Sequence, residues 1–159
     1  MSKEHIYLFG HLVGVFLLVG AAGFSTMAGI LTSRSTNLKL SVLLLDMQRQ
    51  TELFVTSLGA LITIVFGSLL VSPSGNDMAD AWLSAAFALI IVVLALDHGV
   101  LMRANRKARA RAADLLAKGT TESGEPAAIM GAPLVTAVGI ALDLSFVVFL
   151  WLMIYRPGA

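Results

Sequence analysis

Four long apolar runs, separated by short polar stretches, set the pattern of this chain. Ile6 to Leu31 contains no Asp, Glu, Lys or Arg, and His11 is its one group that titrates near neutrality. Leu53 to Val71 is uncharged. Ala81 to Met102 is apolar up to Leu96 and then carries Asp97 and His98. Ile129 to Tyr155 holds a single acid, Asp143. A helix rises about 1.5 Å per residue, and about 20 apolar residues cross the hydrocarbon layer. The pattern therefore predicts four transmembrane helices, at about 6–31, 53–71, 81–102 and 129–155.

The polar stretches divide into turns and one further helix. Thr32 to Asn37 (TSRSTN) reads as a turn, and Ser72 to Asp80 (SPSGNDMAD) as a loop rich in turn residues. Thr120 to Ala127 (TTESGEPA) is a linker. Leu38 to Gln50 is apolar but carries Lys39, Asp46 and Arg49. Its i,i+3 pairs, Asp46–Arg49 and Arg49–Glu52, suit a helix that lies at the interface or extends the next span. Gly20 and Ala22 form a small-x-small site of the kind that ends signal peptides. The apolar run continues past that site, which favours a spanning helix.

Cations orient the pattern. Nine of the eleven Lys and Arg lie after the first span (Arg34, Lys39, Arg49) or after the third (Arg103, Arg106, Lys107, Arg109, Arg111, Lys118). Cytoplasmic loops retain such residues, so both termini are expected outside the cytoplasm. Tyr7, Trp82, Trp151 and Tyr155 then fall together at the outer interface, where amphipathic rings settle.

Composition agrees. Hydrophobic residues make up 57% of the 159, charged residues only 13%, and mean hydropathy is +0.85. Soluble domains carry about 25% charged residues. The net charge of +1 gives no overall attraction to nucleic acid. The absence of cysteine excludes disulfides, thiolate metal sites and a cysteine nucleophile.

Membrane helices associate through small residues that let backbones approach. Each span has such a stripe: Gly10, Gly14, Ala21, Ser25 and Ala28; Thr56, Gly59, Ala60, Thr63 and Gly67; Ser84, Ala88, Ala95 and His98; Ala132, Thr136, Gly139 and Asp143. The expected fold class is all-α, a single-domain antiparallel four-helix membrane bundle over residues 1–159, with an interfacial helix over 38–50.

Few polar residues are placed for chemistry. Asp143 lies mid-span, where an acid costs about 2.5–3.5 kcal/mol on insertion scales. It is expected to face the bundle as a proton- or ion-linked group, or as a hydrogen-bonded structural acid, with Thr63 nearest in depth. His11, about 8 Å inside the outer interface, is a packing residue or a cofactor ligand. Asp97, His98 and Arg103 suggest an interfacial cluster at the cytoplasmic side. His11 and His98 should sit about 15–20 Å apart along the bundle, too far to share one haem iron. Arg106, Lys107, Arg109 and Arg111 suit anionic lipid or a partner subunit; without interleaved aromatics they do not suit nucleic acid. No metal-ligand spacing, phosphate loop or nucleophile triad occurs.

Several short motifs resemble those of small four-helix bacterial membrane proteins. They are Gly10-His11-Leu-Val-Gly14 with the Gly20–Phe24 run, Arg34 with the 38–50 segment and Gly67-Ser-Leu-Leu, Trp82-Leu83 with His98-x4-Arg103, and Pro133 with Arg156-Pro157. The group includes a predicted integral membrane protein family of unknown function and, more distantly, CopD-type copper-resistance proteins and HemJ-type protoporphyrinogen oxidases. HemJ-type proteins use a first-helix histidine, matching His11, and a third-helix lysine at a haem site. Here the residues after Trp82 read Leu-Ser-Ala-Ala-Phe, so the resemblance points to the uncharacterised branch.

The expectation is a non-catalytic membrane subunit, packing on itself or a larger assembly in a bacterial inner membrane, with membrane lipid around it. Two alternatives stand beside it: a haem b-binding oxidoreductase using His11, and a proton-coupled transporter using Asp143.

Overall fold

The computed structural model describes residues 3–72, 75, 77 and 80–157. Pro73, Ser74, Asn76, Met78 and Ala79 of the expected loop, and Gly158 and Ala159 of the tail, lie outside the described residues. The helices are α1 (Lys3–Ser33), α2 (Leu38–Gln50), α3 (Ser57–Val71), α4 (Ala81–Leu96), α5 (Met102–Ala117), α6 (Glu125–Met130) and α7 (Pro133–Tyr155). A π-helical stretch, Thr51–Thr56, joins α2 to α3, and a second, Asp97–Leu101, joins α4 to α5. Four helices result that are long and apolar enough to cross a membrane: Lys3–Ser33, Leu38–Val71, Ala81–Ala117 and Pro133–Tyr155. The chain is an all-α polytopic membrane protein.

Two boundaries differ from expectation. The Leu38–Gln50 segment is not a separate interfacial helix; it extends the second span. Asn37 starts it, its side chain accepting from the Leu40 N–H at 3.1 Å. No Gly or Pro follows before Gly59, so nothing stops the helix. The fourth span begins at Pro133 instead of Ile129. The Gly131-Ala132-Pro133 sequence ends α6, and Pro133 opens α7 at the position where a missing N–H costs nothing.

A helix of 34 residues is about 51 Å long, well beyond the roughly 30 Å hydrocarbon layer. The polar first part of the second long helix and the last part of the third therefore project together as a head. Leu38, Ser41, Leu45 and Gln48 are the buried side of α2. Ala104, Asn105, Ala108 and Ala112 are the buried side of α5. Alanines four residues apart let the α2 leucines seat deeply, and Leu45, Ala104, Ala108 and Met130 of α6 form one core cluster.

Within the membrane layer the spans form two pairs, α1 with α3 and α4 with α7. A second cluster, Val71, Trp82, Leu83 and Leu152, draws the pairs together at the end bearing the chain termini. The α1–α3 pair follows the small-residue stripes. A Cβ on Gly14 would stand 2.5 Å from Thr63 Oγ1 and 2.6 Å from the Thr63 backbone nitrogen. One on Gly59 would meet Leu17 Cβ at 3.1 Å and the Gly14 carbonyl at 3.2 Å. Main chain lies on main chain here.

The third-span stripe behaves differently. Ser84, Ala88, Ala95 and His98 are all exposed, and α4 uses Trp82 and Leu83 for its buried contacts. The π-helical stretch begins just after this span and turns Asp97, not His98, inward. On α7 the buried residues are Val138, Ser145 and Leu152, while Thr136 of the expected stripe is exposed.

Gly14→Val should force α1 from α3 and lower stability by about 1–3 kcal/mol. Gly23→Ala, with nothing within 4 Å of the added carbon, should be neutral or slightly stabilising. Thermal unfolding of the two variants in detergent checks the contrast.

Candidate functional site

The interior polar groups gather where the membrane layer meets the basic head, at the level of the two π-helical stretches. Such stretches displace the helical register by one residue and recur at functional positions. Here each carries a carboxylate: Glu52 on the first, Asp97 on the second. Both line a cavity of about 10 Å³ together with Gln48, Arg49, Leu101, Met102, Asn105 and Arg106.

Neighbouring hydroxyls of α1 connect this region to both helix pairs. Ser25 Oγ donates to Glu52 Oε1 at 2.6 Å. Thr26 Oγ1 lies 3.1 and 3.0 Å from Asp143 Oδ1 and Oδ2, and donates to that carboxylate. The partner expected for Asp143 was Thr63, which instead lies on the α1–α3 contact. Depth counted from the outer ends ranks groups along the membrane normal without saying which helices touch, and the hydroxyl that reaches Asp143 comes from α1.

His11 is 9% exposed. Its Nδ1 lies 3.0 Å from the Thr63 carbonyl oxygen, to which the Nδ1–H tautomer donates. A Cβ on Gly67 would fall 2.9 Å from that nitrogen, so the glycine makes the notch the ring enters. This geometry suits packing. The Nδ1 side of the ring is taken up in the α1–α3 contact.

The Asp97, His98 and Arg103 cluster separates. Asp97 is buried, whereas the His98 side chain is 63% exposed. His98 Nδ1 lies 3.0 Å from the Leu94 carbonyl and 3.4 Å from Asp97 Oδ2. Arg103 is exposed. Consecutive helical residues diverge by about 100°, the reason a sequence cluster becomes an inward acid and outward cations.

The basic run also divides. Arg109 binds Asp46 of α2, with Nη2 to Oδ2 at 3.1 Å. Arg111 grips Glu125 of α6 through Nε at 2.6 Å and Nη2 at 3.1 Å, and reaches Asp114 at 2.9 Å. Lys118 joins Asp114 at 2.9 Å. Arg109 and Arg111 thus fasten the head, while Arg106 and Lys107 are exposed. The hydrogen bond from Arg111 holds the Glu125 carboxyl below its ordinary range, and the neighbouring positive charge adds to this.

Glu52, Gln48 and Asn105 are the site residues that reading the sequence missed. Their one signal was position: all three fall where an apolar run meets a polar one, which ordinarily marks a solvated helix end.

Fold and interior together define a class, the polytopic helical membrane protein with carboxylates inside its helix pairs. The family described as "Predicted integral membrane protein (DUF2269)" matches residues 6–157, and the chain belongs to it. No curated protein and no solved structure matches the chain. None of these comparisons links it to the CopD-type or HemJ-type proteins.

Glu125 sets an acid limit on the head. Its depressed folded value means the contribution is complete above the unfolded value of about 4.3 and is lost as pH falls through the folded one. Protection of the α6 amides, measured against the intrinsic exchange rate at each pH, should therefore fall modestly on acidification below about pH 4.3. In Glu125→Gln it should be lowered already at neutral pH, with this acid step missing.

Proposed function

We propose that the protein is a proton- or ion-linked membrane protein in which Asp143 is the coupled group. One observation carries the reading: Asp143 sits mid-span with a hydroxyl, Thr26, as its partner. Among the described residues no Lys or Arg is paired with it. An acid needed only for packing would be served at lower insertion cost by asparagine. Intramembrane acids that face the interior mark ion and proton pathways. Glu52, joined to the same stretch of α1 through Ser25, and Asp97, beside Glu52 in the cavity, support a path from the basic head toward Asp143. In this reading the basic head faces the cytoplasm of a bacterial inner membrane, and both termini lie outside.

A second reading, a non-catalytic subunit of a membrane assembly, is favoured by the exposed stripe of Ser84, Ala88 and Ala95. Small residues that no helix of the chain covers suit close approach by another helix. Both roles can coexist in one chain.

Purified protein in vesicles loaded with a pH-sensitive dye tests the first reading. Wild type should dissipate an imposed pH gradient, and Asp143→Asn should reduce the rate at least tenfold while unfolding at the same temperature. Equal rates would remove Asp143 from the mechanism. For the second, Ala88→Leu should shift the size in mild detergent toward a single chain; an unchanged size would count against that face.

A further inference from the structure

The cations of the head sort by height. Arg109, Arg111 and Lys118, farther along α5 from the membrane layer, each hold a carboxylate. Arg49, Arg103, Arg106 and Lys107 lie beside the two π-helical stretches. All four are exposed and, among the described residues, in no ion pair. Residues 49–56 and 97–107 set these four cations against two acids, Glu52 and Asp97, an excess of two positive charges with both acids ionised. The acids also turn inward: Glu52 accepts from Ser25 of α1, and Asp97 is buried.

Two of the four cations are set opposite one another. The Asp46–Arg109 pair fixes the register of α2 against the antiparallel α5. Three residues on along α2 and three back along α5, one turn nearer the membrane on the same faces, come Arg49 and Arg106. Both line one cavity. The upper level matches a carboxylate to a guanidinium, whereas the lower one has two guanidiniums. Apolar side chains continue each face toward the membrane. Leu53 and Phe54, 46% and 71% exposed, follow Arg49 by about a turn. Leu101 and Met102 precede Arg106 and line the cavity with it. Cationic above and apolar below is the order of a phospholipid from headgroup to acyl chain.

We propose that Arg49 and Arg106 bind the phosphate of an anionic phospholipid in the leaflet on the head side, its acyl chains lying over Leu53, Phe54 and Met102. Guanidinium groups match phosphate oxygens with paired N–H donors. The cavity, about 10 Å³, has room for roughly one water molecule. The phosphate therefore lies across its mouth, between the exposed arginines. The excess of positive charge selects a lipid with net negative charge, since a zwitterionic headgroup brings its own ammonium to the phosphate. The apolar steps below select a lipid over free phosphate. Arg103 and Lys107 do not line this cavity, and Lys107 lines a second one with Arg111 and Glu125. Those two supply general attraction to an anionic surface without placing the headgroup. The bound lipid joins the α2–α3 helix to the α4–α5 helix from outside the bundle. It stands apart from the role proposed for Asp143, which does not line the cavity.

Thermal unfolding of the full chain in an uncharged detergent tests the site. Phosphatidylglycerol is compared with phosphatidylcholine at equal mole fraction, and with inorganic phosphate. Phosphatidylglycerol should raise Tm by a few degrees in a saturable way, and the other two should give less than half the shift. The double variant Arg49→Gln/Arg106→Gln should raise the half-saturating mole fraction at least about tenfold. Arg103→Gln/Lys107→Gln removes the same charge away from the cavity and should change it less than about threefold. Native mass spectrometry supplies a second measurement for any variant whose unfolding is broad: phosphatidylglycerol should stay on the wild-type chain and leave Arg49→Gln/Arg106→Gln. Equal shifts with the two lipids, a shift reproduced by inorganic phosphate, or equal losses in the two double variants would overturn the proposal. None of these results bears on the vesicle assay of Asp143, so the two readings fail separately.

Discussion

Backbone contact between α1 and α3 is the constraint on which the remaining geometry depends. In a bilayer the surrounding lipid is as apolar as a leucine side chain, so burial supplies little force between helices. Close approach does, through dispersion between main-chain atoms packed near their van der Waals limit. Gly14 and Gly59 make that approach possible at one level, and Gly67 opens the notch for His11 at the next. The imidazole reaching the Thr63 carbonyl then fixes the sliding register of the pair. That register brings Ser25 of α1 level with Glu52, while Thr26, one residue on and about 100° around the helix, faces α7.

From this follows a division of labour along the membrane normal. The end bearing the termini is sealed by apolar side chains, Val71, Trp82, Leu83 and Leu152, with Arg156 stacked over Trp82 at 5.8 Å. The opposite end is fastened by charge: Asp46 to Arg109, and Arg111 to Glu125. These are partly exposed pairs, each worth little alone. They act on helices already seated by leucine-on-alanine packing, and their contribution is to set which faces of α2, α5 and α6 meet. Between the two ends, where neither apolar sealing nor ion pairing operates, lie Glu52, Asp97 and Asp143. Both π-helical stretches occur at this border. A register change there accompanies the inward turn of Asp97, while Arg103, Arg106 and Lys107 at the start of α5 are exposed.

The same division sets the polar interior apart from the head: Glu52 and Asp143 have hydroxyl partners, Ser25 and Thr26, where Asp46 and Glu125 have guanidiniums. The small residues of α4, Ser84, Ala88 and Ala95, stay exposed beside them.

The four spans, the turn at Thr32–Asn37 and the facing stripes on α1 and α3 were legible in the chain, because apolar length and small-residue spacing are local properties that the bilayer enforces. Asp143 stood out in the chain as an acid within an apolar run, and in the structure it meets the Thr26 hydroxyl. The α4 stripe was misleading, since small residues at helical spacing mark a face able to pack without saying whether the chain itself covers it. Nor did spacing give the partner of Asp143 or the inward turn of Asp97. Those depend on helix lengths, on which span lies between which, and on a one-residue change of register, and each is settled only when the helices are assembled in three dimensions. The sequence by itself determined that this protein crosses the membrane four times and where its backbones come closest. Only the tertiary structure decided which acids meet, because the contacts between them join residues as far apart as Thr26 and Asp143 through packing that no local pattern encodes.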